Sequence, residues 1–437
     1  MQRIAYKLLK EWKEKDTRKP LVVLGARQVG KTWLLQEFGK CEYEQVAYIN
    51  CDNNPVMREA FQDYDTERLL RLFSAITNIN IQAENTLIVL DEIQEIPQAI
   101  TALKYFYENQ PQYHIVVSGS LLGLSVHQNS GYPVGKVEQI NIYPMTFMEF
   151  LYAKNKTILI EQIKSHLWQE ISSQSYIYKE LLREYYFTGG MPEVVKYYIE
   201  TQDLQGTRKI QERIIKDYDY DFSKHIPSAL LAKVRLIFNH IPSQLAKENK
   251  KFIYGAIKKG ARAKEFEDAI EWLCNAGLIH KINRVNKIEM PLKFYEEIAT
   301  FKLFMHDLGL LGAIANVPIK QIIAAENIFS EYKGSFTEQF VAQQLIASNQ
   351  QLYYYTSKNS DMEINFVLQQ ADNIYPIEVK AEENLKSKSL KAVIDKNPEL
   401  YGWRFSMSNY RKQDYLTNIP LYLIEEWIKS FEIPLKI

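Results

Sequence analysis

Cysteine is scarce in this chain. Cys41, Cys51 and Cys274 are the only three among 437 residues, and they stand at no metal-ligand spacing. Packing in a reducing cytoplasm is the expected role for them. Net charge is absent as well: 53 Lys and Arg balance 53 Asp and Glu. No whole-chain attraction to nucleic acid follows, and any basic face has to be found locally. No apolar run approaches the ~20 residues needed to cross a bilayer, so no membrane partner is expected. The first ten residues lack the apolar region of a signal peptide. No fixed-period repeat and no low-complexity segment interrupts the chain. What remains is 46% hydrophobic and 24% charged, a globular composition with length for about three domains.

Within that composition, residues 21–32 stand out: Leu-Val-Val-Leu-Gly-Ala-Arg-Gln-Val-Gly-Lys-Thr. Four apolar residues read as a strand buried on both faces. Gly25, four residues, Gly30, Lys31 and Thr32 then complete a phosphate-loop pattern. Glycines at 25 and 30 let the backbone take conformations a Cβ would resist, so N–H groups turn inward around phosphate oxygens. Lys31 supplies a mobile positive charge, and the Thr32 hydroxyl is the expected Mg²⁺ ligand. A helix opening at Thr32 points its positive end at the anion. The candidate ATP-binding set is Gly25, Ala26, Arg27, Gln28, Val29, Gly30, Lys31, Thr32 and Trp33.

A second apolar strand, Thr86 to Leu90, ends in Asp91 and Glu92. Ligands bind at the carboxyl ends of strands in open α/β sheets. Asp91 is placed to hold Mg²⁺ with Thr32, and Glu92 to polarise an attacking water. His114 to Ser120 is a further strand, and Ser118 or Ser120 is either a helix cap or a hydrogen-bond partner of that water. Strands at 45–50 and 136–142 and helices at 3–14, 56–76 and 99–109 complete the expected core. Arg3, Lys7, Lys10 and Lys13 fall on one side of the first helix and read as a solvated face.

Gly-Ala-Arg-Gln-Val-Gly-Lys-Thr, Leu-Asp-Glu-Ile-Gln, Val-Ser-Gly-Ser-Leu-Leu, Tyr-Pro-Met-Thr-Phe-Met-Glu-Phe and Gly-Gly-Met-Pro-Glu occur in this order. Together they resemble a prokaryotic AAA-type ATPase family with a C-terminal domain of unknown function and a restriction-nuclease-like fold. The resemblance implies an α/β fold in four parts. These are a P-loop AAA+ core with a parallel sheet (1–150), a helical lid (151–204), a winged-helix-like domain (205–320) and a nuclease-like C-terminal domain (321–437). It implies ATP and Mg²⁺ as cofactors and ATP hydrolysis in the cytoplasm. Oligomers are compatible with it, because AAA+ cores often take an arginine from a neighbour, although spacing picks out no such residue here. Relatives often have Gly-Arg where this chain has Gly135-Lys136, and lysine lacks the planar fork of arginine.

The middle of the chain is helix-rich. Gly189-Gly190 reads as a hinge, a tight turn or a plain helix stop. Lys250, Lys251, Lys258, Lys259, Arg262 and Lys264 precede a helix at 265–273 and a strand pair, which is a winged-helix pattern. Such a module suits DNA backbone contact, and it equally suits protein docking.

Near the C-terminus, Glu378 and Lys380 share one face of a strand by alternation. A metal-holding carboxylate beside a lysine is the chemistry of phosphodiester cleavage, and the spacing resembles the PD-(D/E)xK superfamily. The preceding strand should then offer an aspartate, but Asn365 stands there, with Glu363 on its face and Asp361 close in sequence. Glu338 lies in an early turn of the helix before. An amide is a poor Mg²⁺ ligand. Glu338, Glu363, Asn365, Glu378 and Lys380 therefore read as a weakened site kept for binding, with ATP-regulated cleavage of DNA or RNA as the alternative. A nucleotide switch that does not hydrolyse ATP is a third reading.

Overall fold

Alternating buried strands and amphipathic helices build the first part of the chain. The computed structural model describes residues 3–120, 133–247, 251–257, 260, 262–323, 330–357, 362–381 and 387–430. Lys250, Lys258, Lys259 and Asp361 lie outside the described residues, as do the two leucines after Ser120. Two compact units result: Met1–Tyr143 with Asn275–Leu278, and Pro144–Cys274 with Ile279–Ile437.

The first unit carries a five-stranded sheet made of β1 (Leu21–Gly25), β2 (Gln45–Asn50), β3 (Thr86–Asp91), β4 (His114–Ser120) and β5 (Glu138–Asn141). Its order is β2-β3-β4-β1-β5, and every pairing is parallel. β1 and β3 are buried throughout, as continuous apolar runs require when both faces are covered. Val22, Leu24, Ile49, Phe61, Phe73, Ile88, Leu90, Phe106 and Val117 belong to the core on one side. Helix α1 (Ile4–Lys13) buries Leu9 and Trp12, and α2 (Lys31–Glu42) follows the phosphate-loop segment. The helix expected over 56–76 is two: α3 (Pro55–Ala60) and α4 (Thr66–Thr77). The break comes from Asp65, whose carboxylate accepts from the Glu67 and Arg68 N–H groups and caps α4, as aspartate does at N-termini. Helix α5 (Pro97–Asn109) starts on a proline at its first position, where the missing N–H costs nothing.

The second unit opens with a capping box. Thr146 and Glu149 exchange side-chain and backbone hydrogen bonds at the start of the Phe147–Ala153 helix. Helices follow to Leu245. An eight-stranded sheet comprises β6 (Ile279–Val285), β7 (Glu296–Met305), β8 (Leu352–Thr356), β9 (Glu363–Gln370), β10 (Asn373–Val379), β11 (Gly402–Ser406), β12 (Arg411–Lys412) and β13 (Leu416–Pro420). Its order is β12-β13-β11-β10-β9-β8-β6-β7.

The expected wing is β6–β7, an antiparallel pair. It is not a free hairpin, because β6 also pairs in parallel with β8 through Asn283↔Tyr353, Arg284↔Tyr354 and Val285↔Tyr355. The boundary expected at 320/321 therefore falls between strands of one sheet. Gly189-Gly190 ends the Ser175–Thr188 helix in a packed junction. Gly189 has φ +66°, and a Cβ there would lie 2.3 Å from an Asp307 oxygen. Asp307 accepts from the Gly190 N–H at 2.6 Å.

Candidate functional site

The phosphate-loop segment bends through two left-handed residues, Gln28 at φ 66° and Gly30 at φ 90°. Gly30 is the N-cap of α2, and a glycine takes that conformation without strain. Gly25 is needed for a different reason than expected. It closes β1, and a Cβ on it would sit 2.4 Å from the Ile142 carbonyl oxygen. Between the bends, Val29 is fully buried, and its carbonyl accepts from Arg3 Nη1 at 2.9 Å. Arg3 also donates to the Tyr143 carbonyl at 2.6 Å. Arg3 is thus not on the solvated face expected for it. It is buried at the start of α1, while Lys10 and Lys13 reach Glu42 on α2 at 3.5 and 3.6 Å.

Lys31 is buried, and its Nζ donates to the Gly25 and Ala26 carbonyls at 2.9 and 2.8 Å. Burial pulls its pKa down to about 8; Glu92 and Asp91 oppose that shift and Arg27 adds to it. Desolvation disfavours the ammonium, and an anion beside it restores it. Trp33, the last of the expected binding residues, is 42% exposed.

Asp91 collects the site. Its Oδ2 accepts from the Thr32 hydroxyl at 2.6 Å and from the Tyr48 hydroxyl at 2.8 Å. Its Oδ1 accepts from the Ser118 hydroxyl and from the Glu92 N–H at 3.1 Å. Thr32 and Asp91, expected to share Mg²⁺, are brought together in a setting of hard oxygen donors, which fits that ion. Ser118 touches Asp91 and, among the described residues, caps no helix. Ser120 closes β4, and its side chain lies outside the described residues. Lys136 pairs with Glu108 at 3.1 Å and stands near the Tyr107 ring.

Sequence reasoning did not pick out Tyr48. Register is the signal that locates it: Asn50 pairs with Asp91 and Tyr48 with Val89, so Tyr48 and Asp91 are diagonal neighbours on adjacent strands. Burial and the Asp91 carboxylate both raise the Tyr48 pKa, so it remains a donor. Glu92 is left-handed at φ 54° and precedes a short 3-10 turn, Ile93–Glu95. Such backbone costs on the order of 1 kcal/mol and clusters at functional sites. The buried Gln94 donates its amide N–H to Glu92 Oε2 at 2.5 Å and so holds the carboxylate.

The C-terminal residues also converge. Glu378 and Lys380 pair at 2.8 Å, on one strand face as expected. Asn365 donates to Glu338 Oε1 at 2.6 Å and accepts from the Val379 N–H at 2.9 Å. A residue not foreseen joins them. Lys302, fully buried on β7, donates to Glu363 Oε1 at 2.5 Å and lies 3.7 Å from Glu338 Oε2. The Tyr354 ring is 4.7 Å from its ammonium. Among the described residues, no group of three His, Cys, Asp or Glu is arranged to hold a metal ion.

Residues 17–151 match a family model described as an AAA domain. Residues 179–321 and 333–424 match two domains of unknown function, DUF8612 and DUF4143. An uncharacterized protein of Methanocaldococcus jannaschii is 28% identical over 236 residues, covering 49% of this chain and 47% of that protein. An uncharacterized protein of Haemophilus influenzae is 27% identical over 186 residues, covering 41% of each. The chain thus spans about half the length, or less, of the curated relatives it matches. The Walker-type ATPase of Pyrococcus abyssi covers 71% of this chain and 94% of its own at 14% identity, with a TM-score of 0.43. Aeropyrum pernix Orc1, solved with DNA, covers 73% and 94% at 14% identity, with a TM-score of 0.28. Likeness at that level assigns neither ligand nor activity.

Proposed function

We propose that the first unit binds ATP with Mg²⁺ and hydrolyses the γ-phosphate. The observation that carries this reading is the hydrogen bond from Thr32 to Asp91 beside the phosphate-loop lysine. The loop amides and Lys31 bind the phosphates, and Thr32 and Asp91 hold Mg²⁺. Held there, the ion would supply charge neutralisation at the phosphate oxygens. Tyr48 and Ser118 keep the Asp91 carboxylate in place. Glu92, steadied by Gln94, takes the proton of the attacking water as general base. The nucleotide state then controls what the second unit engages.

The test is nucleotide binding and turnover by the purified full chain, beside Lys31→Ala. Binding and turnover in the wild type, with both lost in the variant, support the reading. No ATP binding, or equal hydrolysis by both, overturns it. The same assay with and without single- and double-stranded DNA at defined salt identifies the partner class. Stimulation selects nucleic acid, and indifference selects a protein.

A further inference from the structure

We propose that Lys302 is a built-in cation standing where a nuclease-type centre holds its divalent metal, so that the C-terminal cluster is a metal-free ion network. Counting charge supports this. Glu338, Glu363 and Glu378 bring three carboxylates. Lys302 sits between the first two, at 3.7 and 2.5 Å. Lys380 covers the third at 2.8 Å. The buried Arg404, paired in register with Glu378 on the neighbouring strand, feels that carboxylate's charge. Two lysines thus contact all three carboxylates, and Arg404 stands beside the third on the neighbouring strand. A wholly buried lysine is stable as an ammonium only against such partners, and the Tyr354 ring adds cation–π attraction.

Asn365 is built for the same arrangement. The Val379 N–H needs an acceptor, which turns the amide oxygen of Asn365 to it and the amide nitrogen to Glu338. Flipping the amide would set two donors against each other. The position therefore presents a donor to the carboxylate cluster, where a metal centre needs a ligand. An aspartate there would face Glu338 as a like charge. Lys302 turns an ammonium on the acids, and Asn365 turns an N–H donor on Glu338. This inference stands apart from the ATPase reading, since none of its residues belongs to the phosphate-loop site.

The test uses the full chain without nucleotide, with Mn²⁺ binding read by electron paramagnetic resonance and stability by thermal melting. In the wild type, no Mn²⁺ is bound that Glu338→Gln or Glu378→Gln removes, and Asn365→Asp alone creates none. Lys302→Met lowers the melting temperature by roughly 10 °C, because it strands buried carboxylates. Lys302→Met/Asn365→Asp gains a Mn²⁺ site, Mn²⁺ raises its melting temperature, and Glu378→Gln abolishes both effects. Wild-type Mn²⁺ binding lost in Glu338→Gln or Glu378→Gln overturns the proposal. So does a Lys302→Met protein as stable as the wild type. Should Lys302→Met fail to fold, the wild-type comparison still decides the matter.

Discussion

Asp91 in the first unit and Glu338 in the second are both buried acids, yet their partners differ in charge. Every group that bonds Asp91 is neutral: three hydroxyls and one backbone N–H. Such donors orient a carboxylate and leave its charge available to an incoming cation. Glu338 and Glu363 instead share a fixed ammonium, and Glu378 has Lys380. A carboxylate with a resident cation is already neutralised and holds its fold without a ligand. Buried carboxylates stand at both places. On the two readings proposed above, the sign of the neighbouring groups separates a carboxylate open to a metal from a cluster that needs none.

The comparison is broken most sharply at Glu92. Glu92→Gln is expected to keep ATP binding and lose turnover by roughly 100-fold or more, the usual worth of a positioned general base; unchanged turnover would remove Glu92 from the role of general base. Gly25→Ala comes next, since a methyl group must fit against the Ile142 carbonyl. It should destabilise the first unit by about 1–3 kcal/mol, measured by denaturant melting.

Two tyrosines sharpen the contrast. Tyr48→Phe takes a hydrogen bond from Asp91 and should raise the Mg²⁺ requirement for hydrolysis several-fold, up to about tenfold. Tyr354→Phe removes a buried hydroxyl that has no hydrogen-bond partner among the described residues, so the melting temperature should hold or rise.

The smallest expected effect is a proton. With its pKa at about 8, Lys31 is roughly half neutral at pH 8, and phosphate binding draws it back to the ammonium. ATP binding at pH 8 should take up roughly half a proton, read by calorimetry in buffers of different ionisation enthalpy. The bound state holds the extra proton, so affinity weakens as pH rises through about 8. Lys31→Arg should abolish the uptake.

Local pattern made much of the first unit legible. Residues 21–32 and 86–92 spell strand and turn in consecutive positions, and both strands form as read. What escaped came from tertiary contacts. Tyr48 reaches Asp91 only once β2 is known to lie beside β3. Arg3 shares its spacing with exposed lysines, and only docking of α1 takes it to Val29. Ser118 was read as a cap or as a partner of water beside the two acids, and the fold puts its hydroxyl on Asp91 itself. Lys302 did leave a trace: a lone lysine among Phe301, Leu303, Phe304 and Met305, all buried. A charge inside an apolar strand needs a counter-charge, and the acids around Asn365 are where it lies. The strand pair read as a wing forms as β6–β7, and the sequence was silent on its third neighbour, because β6 and β8 are separated by residues 286–351.

That third neighbour bears on inheritance. The two matched segments of unknown function, 179–321 and 333–424, meet inside one hydrogen-bonded sheet, with β6 from the first zipped to β8 from the second. A gene break between them would leave two raw sheet edges, each a template for aggregation. A chain that carries either segment alone must find a replacement strand for that edge before its sheet is complete.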